Sequence, residues 1–371
     1  MSKTWRRLVC AGAIAGYLSL QVPLAAAQKD ADLIPANDSR IGVMGRVDGT
    51  VPGRLRIGYP GVTIRIRFEG SSLAMRASSS TGNSYIAVLV DGGEPRVLRV
   101  PAGEGEISLA ENLTASEHTV EIVHRTETWV GVITAFGFRL AANSRLLPAN
   151  PWPRRRMLFV GDSVTCGEAV ERQSGWKEQR PTSWNAYRSY GMILARALDA
   201  QVQLVCFGGR GLVRDWRGRS DVLNAPQFFS LALPDEQSPP ACDNSAYIPD
   251  LVVVSLGTND FSLGIGDFPP RDEWVGAYVR FVRAIRAQYP EAHIFLTEGA
   301  IVNDVADPAR PQKSILISYI AETAKRLADP RVHVFESRYY PGDADDAHPT
   351  GTQHAAMARD IEPIIRAAVG W

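Results

Sequence analysis

A hydroxyl able to become a nucleophile, an imidazole able to activate it and amides able to receive the resulting charge occur at four separated points of this 371-residue chain. The segments are Gly161-Asp162-Ser163, Gly208-Gly209-Arg210-Gly211, Gly257-Thr258-Asn259-Asp260 and Asp345-Asp346-Ala347-His348-Pro349. A serine hydroxyl is a poor nucleophile until a base removes its proton, and histidine suits that task because it titrates near neutrality. The chemistry such a set supports is acyl transfer to water through an acyl-serine. Candidate donors for the developing oxyanion are the backbone N–H groups of Ser163 and Gly209 and the side-chain amide of Asn259, each contributing about 10²–10³ in rate. Gly209 lets the backbone approach a reacting atom with no side chain in the way. The scheme calls for no metal and no cofactor.

The choice of base follows from the elements that must position these groups. After residue 156, continuous apolar strands at 157–161, 202–208, 251–257, 293–297 and 332–336 alternate with helical stretches at 183–199, 271–289, 312–328 and 350–369. That alternation predicts an α/β domain, a parallel sheet covered by helices on both sides. Working residues in such sheets gather beyond the carboxyl ends of the strands, and all four segments lie at such ends. Of the six histidines, His118 and His124 fall in earlier strands, His293 and His333 at strand starts, and His354 within the last helix. His348 alone is on a loop at the catalytic rim. Asp345, three residues earlier, is the expected acceptor for its other N–H, with Asp346 the weaker candidate because adjacent residues tend to point elsewhere. Asp162 and Asp260 are expected to brace loops by hydrogen bonds. An unperturbed imidazole has a pKa of about 6.5, so activity should rise with pH through that region.

Residues 37–147 read differently. Runs such as Val62-Thr63-Ile64-Arg65-Ile66-Arg67-Phe68 alternate apolar and polar, and turn clusters such as Asp91-Gly92-Gly93-Glu94-Pro95 separate them, which predicts an antiparallel sandwich of jelly-roll type. Three prolines over 147–153 mark a stiff linker. Lys3, Arg6 and Arg7, the apolar run from Leu8 to Leu20 and Ala25-Ala26-Ala27 form an export signal cleaved before Gln28. The expected organisation is a signal peptide at 1–27, a sandwich domain at 28–147, a linker at 148–156 and a hydrolase domain at 157–371, in a protein exported to the periplasm or outside. Removing the signal leaves Cys166, Cys206 and Cys242; the odd number demands a free thiol. Cys166 is expected as a packed thiol, and a Cys206–Cys242 bridge is conceivable in an oxidising compartment. Lys plus Arg and Asp plus Glu number 40 each, which gives no electrostatic case for nucleic acid or an anionic membrane surface.

The four blocks resemble the SGNH (GDSL-type) hydrolases, whose Ser, Gly, Asn and His correspond here to Ser163, Gly209, Asn259 and His348. The run Phe159-Val160-Gly161-Asp162-Ser163-Val164-Thr165-Cys166-Gly167, with Gly209-Arg210-Gly211-Leu212, Leu256-Gly257-Thr258-Asn259-Asp260 and a preceding jelly roll, looks like carbohydrate esterase family 2. Arg125-Thr126-Glu127 is similar to a family feature as well. The resemblance implies a flavodoxin-like hydrolase domain and a secreted, cofactor-free esterase. Such an enzyme would deacetylate xylan, glucomannan and related glycans, with some members favouring the 6-hydroxyl of hexoses. Members often continue the nucleophile block with Gly-Tyr-Gly, whereas this chain has Gly167-Glu168-Ala169, which alters the crevice wall. Some members orient the histidine through a backbone carbonyl instead of an acid. For sugar rings, Trp129, Trp176, Trp184 and Trp216 offer flat apolar faces; Trp129 and Trp216 are the expected substrate contacts, and Trp184 is expected in the core. The expected partner is an acetylated polysaccharide or oligosaccharide. Rival readings are a lipid or short-chain carboxylesterase or thioesterase of the same fold, and a glycan-binding protein with a vestigial site.

Overall fold

Continuous apolar runs become interior strands when both faces of their sheet are covered. Five do so: β1 (Arg155–Gly161), β2 (Ala200–Cys206), β3 (Leu251–Ser255), β4 (His293–Thr297) and β5 (Val332–Val334). They form one parallel sheet in the order β2-β1-β3-β4-β5. In β3 every residue is buried, and each fully buried Val or Leu stabilises by about 1.5–3 kcal/mol. The structure is a computed structural model, and it describes residues 32–173, 175 and 180–371. The export signal expected over 1–27, and Trp176, lie outside the described residues.

The helices between the strands are α1 (Ser163–Cys166), α2 (Tyr190–Ala197), α3 (Ala225–Phe228), α4 (Arg271–Gln288), α5 (Gln312–Leu327) and α6 (Gly351–Val369). The long ones lie within a residue of their expected ends. In α4, Trp274, Tyr278, Phe281, Val282 and Ile285 recur at three- and four-residue spacing and are all buried. A capping box of Thr350 and Gln353 starts α6 two residues after His348. The continuous helix expected over 183–199 is corrected. Single 3-10 turns occupy Pro181–Ser183 and Ala186–Arg188, and the α-helix begins only at Tyr190. Trp184 and Ser189 are extended and Asn185 is non-helical, as expected where Asn and Ser compete with helical hydrogen bonding.

Before this sheet, two antiparallel sheets of five and six strands form the sandwich. Thr63–Gly70 shows the alternation that defines a half-buried strand, its even-numbered positions buried and its odd ones partly exposed from Ile64 onward. One apolar core runs from the sandwich into the parallel sheet, joining Tyr59, Phe68 and Phe138 to Val205, Phe207 and Phe228. Polar ties cross at the same place. Tyr59 Oη donates to Phe228 O at 2.8 Å, and Thr128 Oγ1 to Cys206 O at 2.7 Å. The segment 125–128 is thus fully buried although all four of its residues are polar or charged.

The cysteine expectations are also corrected. Cys166 and Cys206 form a disulfide, and Cys242 is the free thiol. The register explains the pairing: Gly161 of β1 faces Cys206 of β2, and α1 brings Cys166 back over that point. Among the described residues no helix is long and apolar enough to cross a membrane.

Candidate active site

The register that pairs Gly161 with Cys206 on one side and Ser255 on the other makes three chain segments leave the sheet side by side. Ser163 follows the first, Gly208-Gly209 the second and Asn259 the third. Asp162 caps α1, its carboxylate accepting from Val164 N–H at 3.1 Å, so Ser163 opens the helix with its side chain towards the crevice. Gly209 has φ +73°, and a Cβ there would lie 2.6 Å from Trp216 Cδ1; only glycine fits this turn under the indole. The expected brace at Asp260 is present. Its buried carboxylate accepts from Leu212, Val213 and Arg214 N–H at 2.8, 2.7 and 3.1 Å.

His348 Nε2 is 2.9 Å from Ser163 Oγ, although 185 residues separate them. Its Nδ1 is 2.6 Å from Asp346 Oδ1, so Asp346 and not Asp345 orients the ring. The reason is a tight turn. Asp343 Oδ1 accepts from the N–H groups of Asp345 and Asp346 at 2.9 and 3.2 Å, and Asp346 Oδ1 also accepts from His348 N–H at 2.9 Å. An Asx-type turn therefore carries the carboxylate two residues forward and under the imidazole. Arg172, whose side chain is buried, ties this loop to the nucleophile side through Asp343 at 2.7 Å and Asp346 at 3.3 Å. Asp345 instead accepts from Gly175 N–H at 2.7 Å at the surface.

Asn259 Nδ2 donates to Arg210 O at 2.9 Å and to Asp162 Oδ2 at 3.3 Å. Trp129 and Trp216 are 42% and 51% exposed and line the same crevice of about 620 Å³ as Ser163, Gly209, Asn259 and His348. Trp184 is buried and packs edge-on behind Trp129, with ring centroids 5.0 Å apart.

Two carboxyl groups lie near Ser163 and His348 that the sequence marked only indirectly, Glu127 within a family-like run and Glu168 as a departure that alters the crevice wall. Glu168 follows α1 and brings Oε2 to 3.8 Å from His348 Nε2. Glu127 comes from the sandwich, lies beneath Gly208 and accepts from Thr128 N–H at 2.7 Å. Burial pushes the Glu127 carboxyl up, and the Glu168 charge pushes it further. Burial also raises Asp162 and Asp260, each to about 6, against the backbone N–H groups that hold them down. On His348 burial acts downward, but Glu168, Asp346 and Asp162 outweigh it and lift the imidazole to about 9. Burial would raise Asp346, yet His348 and Arg172 bring it down to about 2.

A sign follows for the pH profile. General-base action needs the neutral imidazole, and these carboxylates favour the charged one, so kcat/KM should rise with pH with a midpoint clearly above 6.5, towards 9. Initial rates across pH 5 to 10 would check this; a midpoint at or below the ordinary imidazole value contradicts the arrangement.

Comparison with known proteins bears on this geometry. The family model Carbohydrate esterase 2 N-terminal matches residues 43–150, and that of the GDSL-like Lipase/Acylhydrolase family matches 159–356. The chain is 44% identical over 338 residues to an acetylxylan esterase / glucomannan deacetylase of Cellvibrio japonicus, covering 91% of each protein. The solved structure of a family two carbohydrate esterase from Cellvibrio japonicus superposes with a TM-score of 0.86 at 44% identity, covering 91% of this chain and 98% of that one. A family two carbohydrate esterase from Clostridium thermocellum in complex with cellohexaose gives 0.81 at 28% identity, covering 89% and 99%.

Proposed function

This chain belongs to carbohydrate esterase family 2 and is a carboxylic ester hydrolase of acetylated carbohydrate, and from that premise we propose that it is an exported enzyme removing O-acetyl groups from plant cell-wall xylan and glucomannan, hexose 6-O-acetyl groups included. Among the described residues the sandwich domain extends to 147, and the linker expected over 148–156 ends at 154 because β1 of the hydrolase domain starts at Arg155. The observation that carries the reading is the continuous chain Ser163 Oγ, His348 and Asp346, at 2.9 and 2.6 Å, opening into a crevice faced by two tryptophans.

In this reading neutral His348 Nε2 takes the Ser163 proton as Oγ attacks the acetyl carbonyl. The tetrahedral oxyanion receives the Ser163 and Gly209 N–H groups and the Asn259 amide, which gives up its long bond to Asp162. The imidazolium, held by Asp346, protonates the departing sugar hydroxyl. Water, its proton taken by His348 Nε2, then attacks acetyl-Ser163, and acetate leaves as Ser163 Oγ takes that proton back. Every proton transferred passes through Nε2.

The test is acetate release from acetylated glucomannan and acetylated xylan, set beside 4-nitrophenyl esters of increasing acyl length. Acetate should appear from both polymers, and kcat/KM should fall by about tenfold or more from acetyl to octanoyl. Faster octanoyl than acetyl cleavage without polymer deacetylation would make it a lipid esterase. Tight glycan binding without ester cleavage would make it a binding protein.

A further inference from the structure

Among the described residues, Glu168 stands where a side chain can meet the leaving group. Its Oε2 is 3.8 Å from the same Nε2 that bonds Ser163 Oγ. The departing oxygen must come within hydrogen-bond reach of that nitrogen to be protonated, so other substituents of the sugar ring pass close to the carboxylate. The side chain is 6% exposed and lines the same crevice as Trp216. Its position is tied to the nucleophile: Glu168 N–H donates to Ser163 O at 3.0 Å, and Gly167, at φ +82°, turns the chain between them against Asn185 O.

An ionised carboxylate only accepts hydrogen bonds, so what it selects is a donor. An acetylated sugar carries hydroxyl donors on the ring that also bears the ester, whereas a fully acylated ring or a long-chain alcohol carries none at that place. We propose that Glu168 is a specificity-determining residue that accepts a hydrogen bond from a free hydroxyl of the sugar bearing the acetyl group, and so restricts the enzyme to partly acetylated glycans. This rests on Ser163 and His348 acting as described above.

Recognition of this kind is read as a ratio. The probes are a methyl xyloside with one acetyl group and its deoxy counterpart lacking the free hydroxyl beside the ester. Wild type should prefer the hydroxylated ester by about 10- to 100-fold in kcat/KM, the range of a hydrogen bond to a charged group. Glu168→Ala should bring that ratio to within about threefold of unity, whatever happens to the absolute rates, and Glu168→Gln, which keeps a carbonyl acceptor and nearly the same volume, should retain part of it. A loss of folded protein or a shift in His348 basicity lowers both rates together and leaves the ratio alone. A wild-type ratio near unity, or the same ratio in wild type and Glu168→Ala, overturns the proposal. Failure of wild type to release acetate from either ester overturns the underlying hydrolase reading as well.

Discussion

Ser163→Ala is expected to lower kcat for acetate release by about 10⁴- to 10⁶-fold, with thermal unfolding moved by no more than about 2 °C. The size follows because, among the described residues, Ser163 supplies the hydroxyl that His348 Nε2 reaches, at 2.9 Å. Stability is spared because α1 keeps its Asp162 cap, and alanine is a good helix former in the first turn. His348→Ala should cost a similar factor. The double variant should be no worse than either single one, since a nucleophile without its base and a base without its nucleophile are equally idle. Acetate measured by a coupled assay, with unfolding followed in parallel, settles it; turnover of Ser163→Ala above about 1% of wild type would remove this residue from the reaction.

The second large effect separates two neighbouring acids. Asp346→Asn should lower kcat by about 10²- to 10⁴-fold, because an amide at 2.6 Å from Nδ1 favours the wrong tautomer and no longer stabilises the imidazolium. The rising limb of the pH profile should also move downward, since one of the carboxylates that lift His348 has gone. Asp345→Asn should stay within about twofold of wild type, because that carboxylate bonds Gly175 N–H at the surface. The pair is compared by kcat and pH profile at saturating acetylated glycan. The reverse order of effects would restore Asp345 as the orienting acid.

Those neighbours show where sequence reasoning ends. The strand ends were legible because apolar runs such as Met157–Val160 and Leu251–Val254 stop just before the site segments, and strand-to-rim geometry then leaves one histidine in place. The difference between Asp345 and Asp346 was not, because it depends on Asp343 closing a turn and on Arg172 reaching across from another segment. Likewise the Cys166–Cys206 pairing becomes visible only once the register of β1 against β2 is known. The broken helix at 181–197 had its signal in Asn185 and Ser189, outweighed in the sequence by the apolar positions around them. Glu127 stood in the sequence only within a family-like run and Glu168 only as a departure in the nucleophile block; their places beneath Gly208 and beside His348 follow from how the segments pack.

The disulfide gives the crevice an uneven durability. Cys166 stands three residues after Ser163, Cys206 stands three before Gly209, and the two are 1% and 0% exposed. Attacker and acceptor hydrogens are therefore stapled together, and a reductant cannot reach the staple until the rim of the sheet opens. The imidazole loop has no such tie and is latched by turns and an arginine. On ageing or heating, such a molecule would lose its proton carrier first, while its oxyanion cradle stayed assembled.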